Sequence, residues 1–377
     1  MRLEDVQTPA LLLDRQRLTA NAQRMLERAR ALGVRLRVHV KTLKSMDVAE
    51  IAMDPSRSIA VSTLHEARYF TERGLDDVCY AVCIAPDKLG QVAALMQCAP
   101  QFSVFIDSLE AARALCEAAR RHAVRLNAWI EIDSGEHRTG VAPDAAALIA
   151  IAEQLASDPL VTLAGVATHA GQAYACRDAE GARAVAELER RSVVAAAEAV
   201  RARSIDCPGV SMGSTPTALH AASLAGITEL RAGVYLAQDL FQAAVGSCTV
   251  GDVALSVLAT VISRDPQRNR IVIDAGGLAL SKDRSTAETA ADAAYGLVVD
   301  ITGAPTFGSL FVSNVHQEHG EIVGRTPLPF DRLPLGAKVR VLPNHACMTA
   351  AMYGGYHVID GANQQVAARW QRTNGWD

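Results

Sequence analysis

The stretch 102-FSVFIDSLEAARALCEAARRHAVRLNAWIEID-133 decides the architecture. Phe102–Asp107 and Arg125–Asp133 are short apolar runs rich in Val, Ile and aromatics, the pattern of buried strands. Between them, Ser108–His122 places apolar residues at helical spacing among Arg and Glu. Strand, helix, strand with no alternation inside the strands is the mark of parallel pairing covered on both faces. Working outward, the same alternation recurs. Arg35–Lys41, Ile59–Leu64, Asp77–Ile84, Val161–His169, Gly209–Gly213 and Glu229–Leu236 complete a set of eight strand candidates, with helical runs such as Ala179–Arg203 between them. Eight βα repeats over about 210 residues are the count of a (β/α)8 TIM-like barrel. A doubly wound open sheet has the same periodicity and stays open at this point.

Beyond residue 250 the rhythm changes. Val253–Ile262, Arg270–Asp274, Ala294–Asp300, Gly308–Val315 and Ala337–Leu342 read as strands separated by Gly, Pro and Asp turns. The fold class predicted is therefore α/β, a barrel over residues 15–245 and a second, mostly β domain from residues 1–14 plus 246–377. Pro9–Asp14 is a further strand, free to pair with the barrel. The chain of 377 residues has a net charge of -4, which gives no basis for nucleic acid or an anionic membrane as partner. No apolar run reaches the length of a membrane span, and the N-terminus lacks the layout of a secretory signal. A cytoplasmic enzyme is expected, with its eight cysteines reduced and mostly small core residues.

In such barrels chemistry sits at the C-terminal ends of the strands. Lys41 ends the first strand and shares a face with His39. A lysine there can serve as a Schiff-base amine, although most lysines are solvated surface groups. Lys44 is read as the surface case. Arg138 follows the fifth strand and His169 ends the sixth. Gly213-Ser214-Thr215 follows the seventh, where backbone amides and hydroxyls suit a phosphate; a plain helix N-cap explains it equally. Arg231 lies inside an apolar strand, with Glu229 as the ordinary partner and a ligand ring nitrogen as the other. His345-Ala346-Cys347 offers imidazole and thiol within reach of one metal, zinc by donor type; an incidental histidine beside a core cysteine is the commoner meaning of so short a spacing.

Together these residues resemble the D-serine dehydratase and D-threonine aldolase family, fold type III pyridoxal-phosphate (PLP) enzymes with an alanine-racemase-like fold. The resemblance runs through nearly the whole chain. It includes Thr8-Pro9-Ala10, Arg37 to Ser45, Glu131-Ile132-Asp133, His137 to Val141, Thr168-His169-Ala170-Gly171 and Gly213-Ser214-Thr215. It continues through Arg231-Ala232-Gly233-Val234-Tyr235, Gln317 to Gly320 and Pro343 to Cys347. The resemblance implies PLP on Lys41, with Arg138 near the phenolic oxygen and His169 against the ring. Tyr174, Gly213, Ser214, Thr215, Gly233 and Val234 would line ring and phosphate, and Arg231 would face the pyridine nitrogen. His345 and Cys347 would hold a divalent metal, zinc or else manganese, magnesium or cobalt. The implied reaction is dehydration of a β-hydroxy-D-amino acid, such as D-threo-3-hydroxyaspartate or D-serine, to a 2-oxo acid and ammonia. The aldolase branch commonly shows His-x-Asp at the metal position, so His-x-Cys leans to the dehydratases. Aldol cleavage to glycine and an aldehyde is the alternative, and a non-catalytic PLP carrier the remote one. The family also implies a homodimer.

Overall fold

The computed structural model describes residues 1–324 and 326–376. The chain begins with β1 (Ala10–Asp14) and α1 (Arg15–Ala31). Eight strands follow: β2 (Arg35–His39), β3 (Ile59–Val61), β4 (Val78–Cys83), β5 (Ser103–Ile106), β6 (Leu126–Ile132), β7 (Val161–Thr168), β8 (Gly209–Met212) and β9 (Glu229–Ala232). Each pairs in parallel with the next, and β2 pairs with β9, so the sheet closes on itself. The open-sheet alternative is thereby set aside. Helices α2 (Met46–Ala52), α3 (Leu64–Thr71), α4 (Leu89–Leu95), α5 (Leu109–His122), α6 (Ala146–Ala156), α7 (Ala179–Arg201) and α8 (Thr215–His220) intervene.

The quoted stretch shows why these elements form. β5 is buried along its whole length. Ser108 then caps α5 by accepting from Ala111 N–H, and the helix turns Ala112, Leu115, Cys116 and Ala119 inward. Inside the barrel Phe105, Trp129, Cys79 and Ala167 pack together, and the Trp129 indole N–H finds Ser103 Oγ at 3.1 Å. A charged knot closes the seam between β9 and β2. Arg37, 1% exposed, meets Glu229 at 2.9 Å and Asp77 at 2.6 Å, while Ser211 Oγ donates to Glu229 at 2.6 Å. Glu229 is thus the partner of Arg37 and Arg35, not of Arg231 as the plain reading of the sequence had it.

The second unit is built on a nine-stranded sheet. Its members are β1 with β10 (Leu255–Asp265), β11 (Arg270–Ile273), β12 (Leu297–Val299), β13 (Asn314–Val315), β14 (Gly320–Val323), β15 (Lys338–Leu342), β16 (Gly355–Ile359) and β17 (Ala368–Gln371). β1 pairs antiparallel with β10, Leu11 opposite Val257, and parallel with β16. The N-terminal strand therefore joins this sheet rather than the barrel. Three strands, β14, β16 and β17, were not expected from sequence.

The two compact units are Met1–Gln23 with Val234–Arg372, and Arg24–Gly233 with Thr373–Asp377. The division thus falls at 23/24 and 233/234 rather than at 14/15 and 245/246. Hydrogen bonds explain the shift. Asn21 Nδ2 donates to the carbonyls of Leu236 and Asp252, and Arg17 to that of Val253. The amides of Leu240 and Phe241 donate to Pro343 and Asn344. No helix of the described residues is long and apolar enough to cross a membrane.

Candidate active site

At the C-terminal mouth of the barrel, β2 ends at His39 and Lys41 lies two residues beyond it. The strand is shorter than predicted because the chain turns at Val40, whose carbonyl accepts from the amides of Leu43 and Lys44. Lys41 is exposed, and its ammonium has no hydrogen-bond or carboxylate partner among the described residues. Lys44 differs in kind: its Nζ is ion-paired with the buried Glu66 at 2.9 Å.

Three groups surround the Lys41 charge. His169 follows β7, and its Nδ1–H donates to the Gly213 carbonyl at 2.9 Å. Burial pulls the imidazole down to about 3, helped by the charges of Lys41, Arg138 and Arg231. It is neutral at any physiological pH, so Nδ1 carries the proton and Nε2 is a bare acceptor. His39 is likewise held well below the usual range by burial and by Lys41, Arg231 and His169. Arg231, 4% exposed, stands on β9 and donates to Ser211 Oγ and the Thr168 carbonyl. Its guanidinium lies 5.2 Å from the centre of the Phe105 ring and makes no ion pair among the described residues. A buried cation held by neutral partners keeps its charge available for a ligand.

The remaining predicted residues take mixed places. Arg138 is exposed on the loop after β6, close enough to act on His169, and is paired with Glu136 at 3.2 Å. Tyr174 is half-buried on a short 3-10 turn, Gly171–Ala175, just after His169. Gly213 has φ +137°, and a Cβ there would sit 2.2 Å from the Arg231 carbonyl oxygen, so only glycine fits. Ser214 is the N-cap of α8, reciprocally bonded with Thr217, and Thr215 begins the helix. Gly233 is the last barrel residue of this segment; a Cβ there would meet the His39 carbonyl at 2.3 Å. Val234 is the first residue of the β unit's part, on the turn Val234–Leu236, where a continuation of β9 had been predicted.

Sequence reading missed Glu189. It is fully buried on α7, and its Oε1 accepts from the amides of Ala170 at 2.9 Å and Gly213 at 3.0 Å. Burial pushes its carboxyl up to about 7, against the pull of the Thr217 hydroxyl and those two amides. A signal existed: Ala182, Ala186, Glu189, Val193, Ala197 and Val200 form one buried stripe at helical spacing, with Glu189 the sole charged member.

In the β unit, His345 and Cys347 stand at the start of α11 (Ala346–Ala350), after α9 (Leu240–Ala244) and α10 (Gly277–Leu280) in the chain. The His345 Nδ1–H donates to Asp283 Oδ2 at 2.7 Å, and the Cys347 thiol lies within hydrogen-bond reach of the same ring. Burial opposes the imidazolium, but Asp283 and Cys347 outweigh it and raise His345 to about 11. The His345 bond in turn lowers Asp283 to about 2. Buried Asp239 fixes the turn by accepting from the Ala346 amide at 2.8 Å. Neither aspartate was anticipated, being 62 and 106 residues from His345 in the chain. No group of three or more His, Cys, Asp and Glu is gathered for a metal among the described residues.

Residues 13–239 match the alanine racemase N-terminal domain family, and 254–359 a serine dehydratase domain. The D-threo-3-hydroxyaspartate dehydratase of Delftia sp. (strain HT23) is 42% identical over 377 residues, 98% of each chain. Its solved structure superposes with a TM-score of 0.95 at 41% identity, covering all of both chains. A D-serine dehydratase of Dictyostelium discoideum is 29% identical over 96% of this chain and 95% of its own. A D-threonine aldolase from Filomicrobium marinum superposes with a TM-score of 0.85 at 25% identity, covering 98% and 96%. The chain therefore belongs to the family of two-domain enzymes in which an alanine racemase N-terminal domain precedes a serine dehydratase domain.

Proposed function

We propose that this protein is a lyase that removes water from β-hydroxy-D-amino acids, D-threo-3-hydroxyaspartate or D-serine, giving a 2-oxo acid and ammonia. It would use PLP on Lys41 and a divalent cation, zinc by donor type, on His345 and Cys347. The observation that carries the reading is 42% identity across 98% of the chain to a D-threo-3-hydroxyaspartate dehydratase.

The barrel residues fit PLP. Lys41 is an amine at the mouth with no partner among the described residues, and Gly213 and Gly233 let the backbone there pass close against Arg231 and His39, where a Cβ would clash. When bound, PLP supplies an electron sink for the charge left at a deprotonated Cα. Lys41 would carry the cofactor and then move the Cα proton. Neutral His169 presents its ring without competing for that proton. Arg231 cannot give up a proton, so a ring nitrogen set against it would stay unprotonated and the sink would be weak.

The His345–Cys347 pair fits a cation. A metal-bound imidazole commonly gives its other N–H to a carboxylate, which is the bond to Asp283. Two protein donors, with the His345 side chain 29% exposed, leave positions for water and substrate. A solved D-threo-3-hydroxyaspartate dehydratase variant, with a cysteine replaced by alanine, is of a metal-free form, which supports a metal in the relative. A divalent cation supplies Lewis acidity to a hydroxyl leaving group, the help a weak sink calls for. The reading extends, on family grounds, to a homodimer and, from the sequence expectation above, to a cytoplasmic location.

The test is an ammonia assay on paired enantiomers. One lysine on one face reaches one Cα proton, so D-serine and D-threo-3-hydroxyaspartate should release ammonia while their L-forms and D-alanine do not. Equal rates on D- and L-serine would overturn the proposal.

A further inference from the structure

We infer that Glu189 is a positioning residue, one that holds His169 and the Gly213 loop in register for the ring and phosphate of the cofactor. The inference rests on the PLP reading above. Its basis is a closed hydrogen-bonded circuit. Glu189 Oε1 takes the Ala170 amide, which pins the residue next to His169. The same oxygen takes the Gly213 amide. His169 Nδ1–H then donates back to the Gly213 carbonyl, at 2.9 Å. The peptide planes on either side of Gly213 are thus held at both ends, one by α7 and the other by the histidine. At Gly213 itself the backbone has a φ of +137°, a course that these two bonds hold in place.

A second consequence concerns the phosphate. The Gly213 amide is spent on Glu189 and the Ser214 amide on Thr217 Oγ1, at 2.9 Å. Gly213 therefore shapes the cradle by backbone course rather than by donating to the phosphate. A carboxylate placed there for stability alone would be a poor choice, because an uncharged residue fills the stripe at less desolvation cost. A single oxygen accepting from two loops is what a positioning role needs.

The experiment compares PLP with pyridoxal, which lacks the phosphate. Dissociation constants are measured by visible absorbance for the full-length parent, Glu189→Met and Glu189→Gln, with melting temperatures of the cofactor-free proteins. Methionine fills the volume without an acceptor; glutamine restores it. Glu189→Met should lower the PLP-to-pyridoxal affinity ratio about tenfold or more, two buried amides having lost their partner. It should also change the visible circular dichroism of the bound ring. Glu189→Gln should stay within about threefold of the parent by the same reasoning. A lowered melting temperature with an unchanged ratio overturns the inference and leaves the PLP reading intact. A parent that binds PLP no tighter than pyridoxal overturns the phosphate-site reading beneath it. Should Glu189→Met fail to fold, Glu189→Asp, one methylene shorter, carries the same comparison, and a parent-like ratio there overturns the inference.

Discussion

Replacing Gly213 by alanine tests the backbone geometry of the proposed cofactor site. The new Cβ would sit 2.2 Å from the Arg231 carbonyl oxygen and 3.0 Å from that residue's carbonyl carbon and nitrogen. Ordinary contact begins near 3.4 Å, so the overlap exceeds 1 Å and falls on backbone of the adjacent strand β9. Backbone must move, and a φ of +137° adds strain of about 1–3 kcal/mol for a residue with a side chain. Movement of Gly213 strains its bonds to Glu189 at 3.0 Å and from His169 at 2.9 Å. Each buried group left unpaired costs about 1–3 kcal/mol. The sum is about 3–9 kcal/mol, or roughly 6–36 °C in melting temperature at about 2–4 °C per kcal/mol for a unit of this size. Gly33→Ala is the control. It too has positive φ, at +71°, but nothing lies within 4 Å of its added Cβ, so about 1 kcal/mol is expected. Thermal unfolding of both variants, followed by PLP titration, makes the comparison. If Gly213→Ala melts with Gly33→Ala and binds PLP like the parent, the cradle argument is wrong.

Other outcomes follow from the same structure. Borohydride treatment of the PLP-loaded protein and peptide mapping should find the label on Lys41; a label on Lys44, which Glu66 holds at 2.9 Å, would refute the assignment. Glu229→Gln leaves Arg37 with Asp77, at 2.6 Å, as its remaining carboxylate, and should cost less than the about 3–5 kcal/mol of a wholly unpaired buried charge near neutral pH. Although burial opposes it, the charges of Arg37 and Arg35 hold the Glu229 carboxyl at about 2, below the ordinary 4.5. Its contribution is therefore complete above pH 4.5 and declines as pH falls toward 2. Urea unfolding should show the gap between parent and variant narrowing over that interval; a gap constant from pH 7 to 2 would contradict the charge argument. Chelation, verified by elemental analysis, should abolish turnover and leave the visible cofactor band in place.

The barrel was legible because parallel strands buried on both faces read as unbroken apolar runs. Phe102–Asp107 and Arg125–Asp133 each contain an observed strand, β5 and β6. Strand ends were not legible. Val40 and Val234 look like strand residues, yet each lies in a turn, because apolar character reports burial and not hydrogen-bond direction. In the β unit the missed strands are short and uneven: β14 has four residues and β17 alternates half-buried with exposed. Which sheet claimed Pro9–Asp14 was a long-range matter; β1 finds its partners about 245 and 345 residues away, at Val257 and His357. Of the residues proposed for the site, Lys41, His169, Gly213 and Arg231 stood out by residue type at strand ends, and the structure places them at the barrel mouth. Asp283 did not, since its role arises from one distant bond to His345. Glu189 was hidden by Glu187, Arg190 and Arg191, which make α7 look solvated unless the buried stripe is traced.

The most direct test of the account is the product balance from D-threo-3-hydroxyaspartate with PLP and a divalent cation present. Elimination across Cα and Cβ, followed by hydrolysis, must give one 2-oxo acid and one ammonia per substrate consumed. Equimolar oxaloacetate and ammonia is the predicted result. Glycine with glyoxylate as the main products would contradict it and assign the chain to the aldolases.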